Sequence, residues 1–419
     1  IRSTNQEAYL VGGCVRDILM AQEAADYDIT TTATIDQLKQ LFPRVIPVGE
    51  KHGTVIVLSP DGQRVEVSAL KSRCQRYEQA ATLEDDLRLR DFTINAMAMD
   101  EKGRIIDPYG GRTDLKHKMI RSPLGESQDR FREDPLRMMR AVRFAVTLGF
   151  ALDEDLHRDM MVNAPLICDV AVERVRSELD RILVSDYPAQ GMRLMNETGL
   201  LRYILPEVQA MVGFEQRNFR HDKDIFEHSL AALDAVPPRL KVRLAALLHD
   251  VGKPVTFTID ANGVGHFYNH HLEGSKIAAD LLGRLKYDKQ MIEDVSRLVA
   301  AHMSRFAQLK DNGLIKLVRS ISERNWQDLL DLQKADIVSS APPYDFSGIN
   351  AMQEDYDRIL REKRPMDLKD LTINGRDLIA LGYKPGPAMG ELLKHLLEVV
   401  LNDAQQNRKE ILIDLARDF

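Results

Sequence analysis

Three carboxylates near the start of this 419-residue chain are spaced for chemistry. Asp26 and Asp28 stand two apart in Asp26-Tyr27-Asp28-Ile29-Thr30, and Glu66 lies within Arg64-Val65-Glu66-Val67-Ser68. Residues two apart on a strand face the same side, so Asp26 and Asp28 are expected to project together. Paired carboxylates repel unless a cation lies between them, and hard oxygen ligands suit Mg²⁺. Alternation puts Glu66 on the face opposite Val65 and Val67. Beside the aspartates it would complete a two-metal site, which activates a hydroxyl nucleophile and stabilises a leaving pyrophosphate. Upstream, Gly12-Gly13 separates the strand-like Tyr9-Leu10-Val11 from Cys14-Val15-Arg16-Asp17-Ile18-Leu19. A glycine pair between strand and helix lets backbone N–H groups approach a phosphate, and Arg16 in the first helical turn adds a charged donor. Taken singly, each feature also fits a bland element: a solvated acidic turn, the polar face of an edge strand, a tight turn.

Farther along, Glu133, Arg137 and Arg140 fall at i, i+4 and i+7 of an expected helix and so on one face, with Asp134 at its margin. Leu136, Met139 and Val142 point to another side and are expected to be buried. Spacing alone favours a salt-bridged surface helix. The chemical argument for base readout is different: a carboxylate plus a guanidinium matches an amino donor beside a ring acceptor. Cytosine and adenine share that edge, whereas uracil and guanine place a carbonyl there. The second half of the chain holds His228, His249-Asp250, His270, His302 and Asp336. Imidazoles and carboxylates on separate helices suit a transition metal, although a lone His-Asp pair also serves as a core hydrogen bond.

The elements that must position these residues change character along the chain. Residues 1–123 are rich in short alternating or β-branched runs, at 8–11, 54–58, 64–70 and 104–106, with Asp61-Gly62 as a hairpin turn. From about residue 124 helical periodicity takes over, with amphipathic stretches at 135–148, 172–183, 240–248 and 274–285. Pro237-Pro238, Pro342-Pro343 and Pro385-Gly386-Pro387 mark connections in this half. The expected fold class is α+β, a small mixed-sheet head followed by a long helical part. Composition agrees with a globular protein: 44% hydrophobic and 29% charged residues. No apolar run approaches the ~20 residues that span a bilayer, and residues 1–7 lack the apolar core of a signal peptide. Cys14, Cys74 and Cys168 are odd in number without a CxxC spacing, which excludes a disulfide framework. A reduced, cytoplasmic protein is expected. The net charge of −7 argues against unspecific nucleic-acid binding and leaves room for a local basic patch.

Five ordered blocks carry a family resemblance. Gly12-Gly13-Cys14-Val15-Arg16-Asp17, Asp26-Tyr27-Asp28, Arg90-Asp91-Phe92-Thr93-Ile94-Asn95-Ala96-Met97-Ala98, Asp107-Pro108-Tyr109-Gly110-Gly111 and Arg130-Phe131-Arg132-Glu133-Asp134-Pro135-Leu136-Arg137 together resemble the class II tRNA nucleotidyltransferase and poly(A) polymerase family. The resemblance implies a nucleotidyltransferase head at 1–123, a helical neck at 124–190, a body at 191–345 and a tail at 346–419. It gives Asp26 and Asp28 to Mg²⁺, with Glu66 assisting. Gly12, Gly13, Arg16 and Asp17 become nucleotide-binding residues, with Gly13 and Arg16 at the triphosphate. Arg90, Asp91 and Asn95 go to the ribose. Glu133, Asp134 and Arg137 become the base template, and Arg140 and Arg143 further nucleotide contacts. The order His…His-Asp…Asp resembles the HD phosphohydrolase superfamily. That implies His228, His249, Asp250 and Asp336 as ligands of a transition metal (Ni²⁺, Mn²⁺ or Co²⁺), with His270 and His302 available to a second. The tail, with Asn374-Gly375-Arg376-Asp377-Leu378 and Gly382-Tyr383-Lys384-Pro385-Gly386, resembles the part of the family that grips the outer part of tRNA.

The implied partners are tRNA, CTP and ATP, with no membrane and no obligate protein partner. The implied function is addition of the tRNA 3′ CC or CCA end without a nucleic-acid template. Rival readings are an A-adding enzyme, a poly(A) polymerase, and a metal-dependent phosphohydrolase with an RNA-binding head. The intact Asp26/Asp28 pair disfavours the last of these. One departure bears on the product. The stretch from Glu66 to Arg90 is several residues shorter than in full CCA-adding members. Lys71-Ser72-Arg73-Cys74-Gln75-Arg76-Tyr77-Glu78-Gln79-Ala80 lacks the acidic, Gly- and Pro-containing run of the family's flexible loop, and Leu89 replaces the first of two arginines. Reshaping one pocket from cytosine to adenine needs a lever that moves, and a short tether limits it. CC-only addition is therefore expected.

Overall fold

The computed structural model describes residues 1–24, 26–49, 54–58, 62–70, 82–125, 127–215, 224–306 and 309–419. Asp61 of the expected hairpin turn and the expected short loop at 71–80 lie outside the described residues. The chain divides into two compact units, Ile1–Ile204 and Leu205–Phe419.

The first unit is built on a seven-stranded sheet: β1 (Ala8–Val11), β2 (Tyr27–Thr31), β3 (Val45–Gly49), β4 (Thr54–Leu58), β5 (Arg64–Ala69), β6 (Ala98–Met99) and β7 (Ile105–Ile106), in the order β3-β4-β5-β2-β1-β6-β7. β2 and β5 run parallel and the other neighbours antiparallel, so the sheet is mixed as expected. Val55, Val57 and Val67 point to one face, where Ala33 and Leu38 of the α2 region complete a core. Gly12 has φ +78° and caps α1 (Gly13–Leu19), turning strand into helix within one residue. Few side chains tolerate that backbone. A reciprocal capping box of Thr34 and Gln37 starts α2 (Ile35–Leu41), and one of Thr82 and Asp85 starts α3 (Leu83–Arg88).

Helices follow: α4 (Gly111–His117), α5 (Ser127–Glu133), α6 (Leu136–Leu148), α7 (Glu154–Asn163), α8 (Val172–Leu183), α9 (Pro188–Glu197) and α10 (Leu200–Ile204). A small ladder of β8 (Met119–Ile120) and β9 (Ala151–Leu152) ties the two ends of the α5–α6 region together. Two expectations are corrected here. Asp26 sits in the bend before β2, so the period-two argument holds for Asp28 alone. Glu133 closes α5, and a new helix starts at Leu136. The cause is Pro135, whose ring disfavours helical backbone at Asp134. Glu133, Arg137 and Arg140 therefore do not share one continuous helix. Leu136, Met139 and Val142 are buried as expected.

The second unit is helical: α11 (Pro206–Gln209), α12 (Ile225–Ala235), α13 (Leu240–Leu248), α14 (Lys253–Thr256), α15 (His270–Arg284), α16 (Lys289–Ala301), α17 (Asp311–Ile321), α18 (Trp326–Ser339), α19 (Ser347–Arg361), α20 (Gly375–Ala380), α21 (Pro387–Asn402) and α22 (Lys409–Arg417), with one hairpin, β10 (Phe257–Ile259) and β11 (Gly265–Phe267). The expected helix at 274–285 begins four residues earlier, at His270. Among the described residues no helix is long and apolar enough to cross a membrane.

Candidate nucleotide and metal sites

In the first unit strand register brings Asp28 and Glu66 together, and among the described residues Asp26, Asp28 and Glu66 do not form a three-ligand metal group. Asp28 pairs with Val11 on β1 and with Glu66 on the parallel strand β5. Register partners on neighbouring strands present side chains to the same face, so Asp28 and Glu66 stand side by side. Asp28 is half-buried, while Asp26 and Glu66 are exposed. Burial raises the proton affinity of Asp28, the Arg90 guanidinium opposes this, and the charge of Asp26 adds to it. A half-buried carboxylate with a like charge beside it is disfavoured in its ionised form, and a bound cation would relieve that. Gly12 is the turn over which this happens. A Cβ built there would lie 2.7 Å from Arg90 Nη1 and 3.6 Å from Asp28 Oδ2, so a side chain at this position would displace the guanidinium from the turn.

A chain of charged hydrogen bonds runs from this turn to α6. Arg16 Nη1 donates to Asn95 Oδ1 at 2.8 Å, and Asn95 Nδ2 donates to Asp91 Oδ1 at 3.0 Å. Arg140 donates through Nε (2.8 Å) and Nη2 (2.5 Å) to Asp91 Oδ2. Asp91 is buried, which alone would raise its pKa, but Arg140, Asn95 and the Phe92 N–H hold it below the usual carboxylate range. Arg16 also pairs with Asp17 at 2.7 Å. Three guanidiniums surround the buried Phe144 ring, those of Arg143 (4.0 Å to the centroid), Arg16 (5.2 Å) and Arg140 (5.5 Å).

The α5–α6 junction carries the remaining expected residues. Arg137 Nη2 donates to the Leu89 carbonyl at 2.9 Å. Its buried Nη1 makes no hydrogen bond among the described residues and lies 3.7 Å from Glu133 Oε2. Asp134 is held at 3.0 Å by Arg174 of α8, and Arg143 at 2.5 Å by the buried Glu178, one turn further along the same helix. Arg130, 1% exposed, donates to the Arg88 carbonyl and pairs with Glu133 at 2.9 Å. Sequence reasoning missed Arg130, Phe144, Arg174 and Glu178 as parts of this network. The available signal was Arg174 and Glu178 at i and i+4 on the polar face of a strongly amphipathic helix.

In the second unit all six expected metal-set residues come together and are buried. His249 Nε2 lies 3.3 Å from His228 Nε2, and His270 Nε2 lies 3.3 Å from His302 Nε2. Asp250 reaches both pairs. Its Oδ2 is 3.3 Å from His249 and 3.6 Å from His228, and its Oδ1 is 3.4 Å from His270 and 3.9 Å from His302. Asp336 Oδ1 stands 3.0 Å from His228 Nε2. His249, His270 and His302 each turn Nδ1 to a carbonyl three residues back, at 2.7–2.8 Å. Such a bond holds each ring with Nε2 facing inward, the orientation in which a metal-binding imidazole is held. Asp250 Oδ2 is buried without a well-directed hydrogen bond, with Lys253 Nζ 2.7 Å away. Burial alone would raise Asp250, but His249 and Lys253 outweigh it and hold the carboxylate well below its usual range. The ligand atoms of His228, His249 and Asp250, and those of Asp250, His270 and His302, form two groups that each lie within 4.8 Å. Gly252 makes this possible, because a Cβ there would collide with the His270 carbonyl and the Gly274 nitrogen of α15.

Comparison with known proteins finds family matches in both units. Residues 8–121 match the poly A polymerase head domain, 149–211 the probable RNA and SrmB-binding site of polymerase A, and 268–416 a putative tRNA nucleotidyltransferase domain 2. An A-adding tRNA nucleotidyltransferase of Deinococcus radiodurans is 35% identical over 93% of this chain and 91% of its own length. The chain belongs to the class II tRNA nucleotidyltransferase and poly(A) polymerase family. A CCA-adding enzyme of Geobacillus kaustophilus is 44% identical over 49% of the chain, and that match spans about half of the relative, 52%. Among solved structures, the Bacillus stearothermophilus CCA-adding enzyme in complex with CTP shares the fold with a TM-score of 0.73 at 30% identity, covering all of this chain and 94% of that one. Membership in the family fits the mixed sheet of the head and the helical remainder.

Proposed function

We propose that this chain is a tRNA nucleotidyltransferase that joins nucleotides from CTP to a tRNA 3′-hydroxyl without a nucleic-acid template. The observation that carries the reading is the register of Asp28 with Glu66 on parallel strands, beneath a glycine turn that lets Arg90 close over it. In the reaction the 3′-oxygen attacks the α-phosphorus, the new P–O bond forms, the bridging α–β P–O bond breaks, and pyrophosphate leaves. Asp26, Asp28 and Glu66 would hold Mg²⁺, which when bound activates the hydroxyl and steadies the charge on the pyrophosphate. Gly12, Gly13 and Arg16, with Asp17 fixing the Arg16 fork, receive the triphosphate at the N-terminus of α1. Asp91 and Asn95 orient the ribose, and their bonds to Arg16 and Arg140 tie triphosphate and base to one scaffold. Asp134 accepts from the exocyclic amine, and the Arg137 guanidinium donates to the ring acceptor, with Glu133, Arg140 and Arg143 beside them. The four-part division into head (1–123), neck (124–190), body (191–345) and tail (346–419) belongs to the same reading.

The product we assign is CC. The support is the short, altered stretch between Glu66 and Arg90, of which residues 71–81 lie outside the described structure. The A-adding relative makes addition of the terminal A alone the second reading of the product. Supplying each NTP singly to a tRNA lacking its last three nucleotides, and to one ending in CC, separates them. Extension of the first by CTP supports CC addition, and extension of only the second by ATP supports the rival.

For the second unit we propose a metal-dependent phosphohydrolase site of the HD type. The position of Asp250 between two histidine pairs supports it. Metal analysis of the purified protein, with hydrolysis of cyclic and 2′-phosphate substrates after addition of Ni²⁺, Mn²⁺ or Co²⁺, tests it. A protein that binds no metal makes the cluster structural.

A further inference from the structure

Resting on the reading of the His-Asp cluster as a metal site, we infer that Arg305 is its anion-recognition residue, the side chain that takes the phosphate group of whatever ester is bound there. The two oxygens of Asp336 are divided. Oδ1 faces His228 and His249, and Oδ2 forms an ion pair with Arg305 Nη1. Arg305 is only 12% exposed and follows His302 by one helical turn, so the segment that supplies an imidazole also supplies the guanidinium. Both line one cavity of about 820 Å³, together with Asp250, Lys253, His270 and Asp336.

The charge balance of this cavity points to an anion. Two buried carboxylates, Asp250 and Asp336, and the exposed Asp345 at its edge face two cations, the buried Lys253 and the largely buried Arg305. One or two divalent ions added among the histidines leave the cavity with a net positive charge, and an excess charge among buried groups needs a counter-charge. Lys253 is a point charge turned to Asp250 and packed 5.4 Å from the Phe267 ring. Arg305 is planar, and its fork fits two phosphate oxygens at once. Competition between Asp336 and a phosphate for that fork is what couples anion arrival to the carboxylate beside the metal.

The test is made on the full chain with Mn²⁺ alone and then inorganic phosphate as probes, comparing wild type with Arg305→Met and Arg305→Lys. Binding that persists in Asp250→Asn lies elsewhere and is subtracted. In Arg305→Met, where a like charge is removed, Mn²⁺ should bind as tightly as in wild type or tighter. Phosphate affinity of the Mn²⁺-loaded protein should fall at least tenfold. Arg305→Lys keeps an ion pair to Asp336 but not the fork, and should lose phosphate affinity by an intermediate factor with Mn²⁺ binding intact. Unchanged phosphate affinity in both variants overturns the inference. So does a parallel loss of Mn²⁺ and phosphate in both, because Arg305 would then merely hold Asp336 in place. A wild-type protein that binds no Mn²⁺ above the Asp250→Asn background refutes the metal reading itself, and the inference falls with it. That result is distinguishable from a metal-loaded protein indifferent to Arg305.

Discussion

Removing Glu178 should destabilise the first unit by leaving Arg143 as an uncompensated charge. The two side chains are 7% and 12% exposed and meet at 2.5 Å. Burial alone pulls the Arg143 guanidinium below its ordinary proton affinity, and Glu178 opposes that pull. Breaking a buried pair by deleting one partner costs about 3–5 kcal/mol. The Phe144 ring, 4.0 Å from the guanidinium, recovers part of this, so Glu178→Leu should cost about 3 kcal/mol. For a unit of this size 1 kcal/mol corresponds to about 2–4 °C, which puts the expected fall in its melting temperature at about 6–12 °C. Replacing both partners removes the orphaned charge, so Glu178→Leu/Arg143→Leu should regain most of that stability. Nucleotide affinity should not return in the double variant, since Arg143 is also assigned to the nucleotide. Calorimetry of the four proteins, with CTP binding measured in parallel, closes the cycle. A double variant destabilised by the sum of the two single effects would show that the ion pair carries no coupling and refute the reasoning.

Four further outcomes follow from the geometry. Asp28→Asn should lower nucleotide addition about a thousandfold or more while leaving stability unchanged or higher, because burial, and after it the neighbouring Asp26 charge, already disfavours the ionised form; primer extension and calorimetry read the two effects. Asp134→Ala or Arg137→Ala should admit UTP and GTP, with about 1–3 kcal/mol of discrimination lost, measured as incorporation of all four nucleotides. The depressed pKa of Asp91 contributes stability that is present above the ordinary carboxylate value and is lost as pH falls through the lowered one; acid titration of folding should show this loss in wild type and not in Arg140→Leu. Mn²⁺ or Ni²⁺ should raise the melting temperature of wild type and of Asp28→Asn, but not of His249→Ala, in a thermal-shift series.

Much of the local structure was legible because short-range patterns dictate it. The Tyr9-Leu10-Val11-Gly12-Gly13 run reads as strand, turn and helix start, and the structure follows it. The helices at 172–183 and 240–248 appear with the expected bounds; the first buries its apolar face, whereas residues 242–248 of the second are buried all round, so the expected amphipathic character is not found there. Alternation around Glu66 put it opposite the buried Val67, but only the parallel pairing of β2 with β5 brings it beside Asp28, and pairing between distant strands leaves no mark in either. The shared helical face of Glu133, Arg137 and Arg140 was misread because periodicity was carried through Asp134-Pro135, where the proline ring breaks it. Arg130 and Glu178 were invisible as buried ions: Arg130 reaches the Arg88 carbonyl and Glu178 reaches Arg143, both on other elements, and a charged residue in a helix reads as solvated until such contacts are known. His228 and Asp336 are 108 residues apart and meet at 3.0 Å, a closeness that helix packing creates and spacing cannot encode.

The most direct test of the account is extension of a tRNA that ends just before its CCA, with CTP, ATP and Mg²⁺ all present, by wild type and by Asp28→Asn. The wild-type protein should add two nucleotides, release two equivalents of pyrophosphate and stall, and Asp28→Asn should add none in the same time. Extension by three nucleotides ending in A would contradict the assignment of the product. A wild-type protein that extends neither this tRNA nor one ending in CC, or an Asp28→Asn variant that extends it normally, would contradict the proposed nucleotidyl transfer at Asp28 and Glu66.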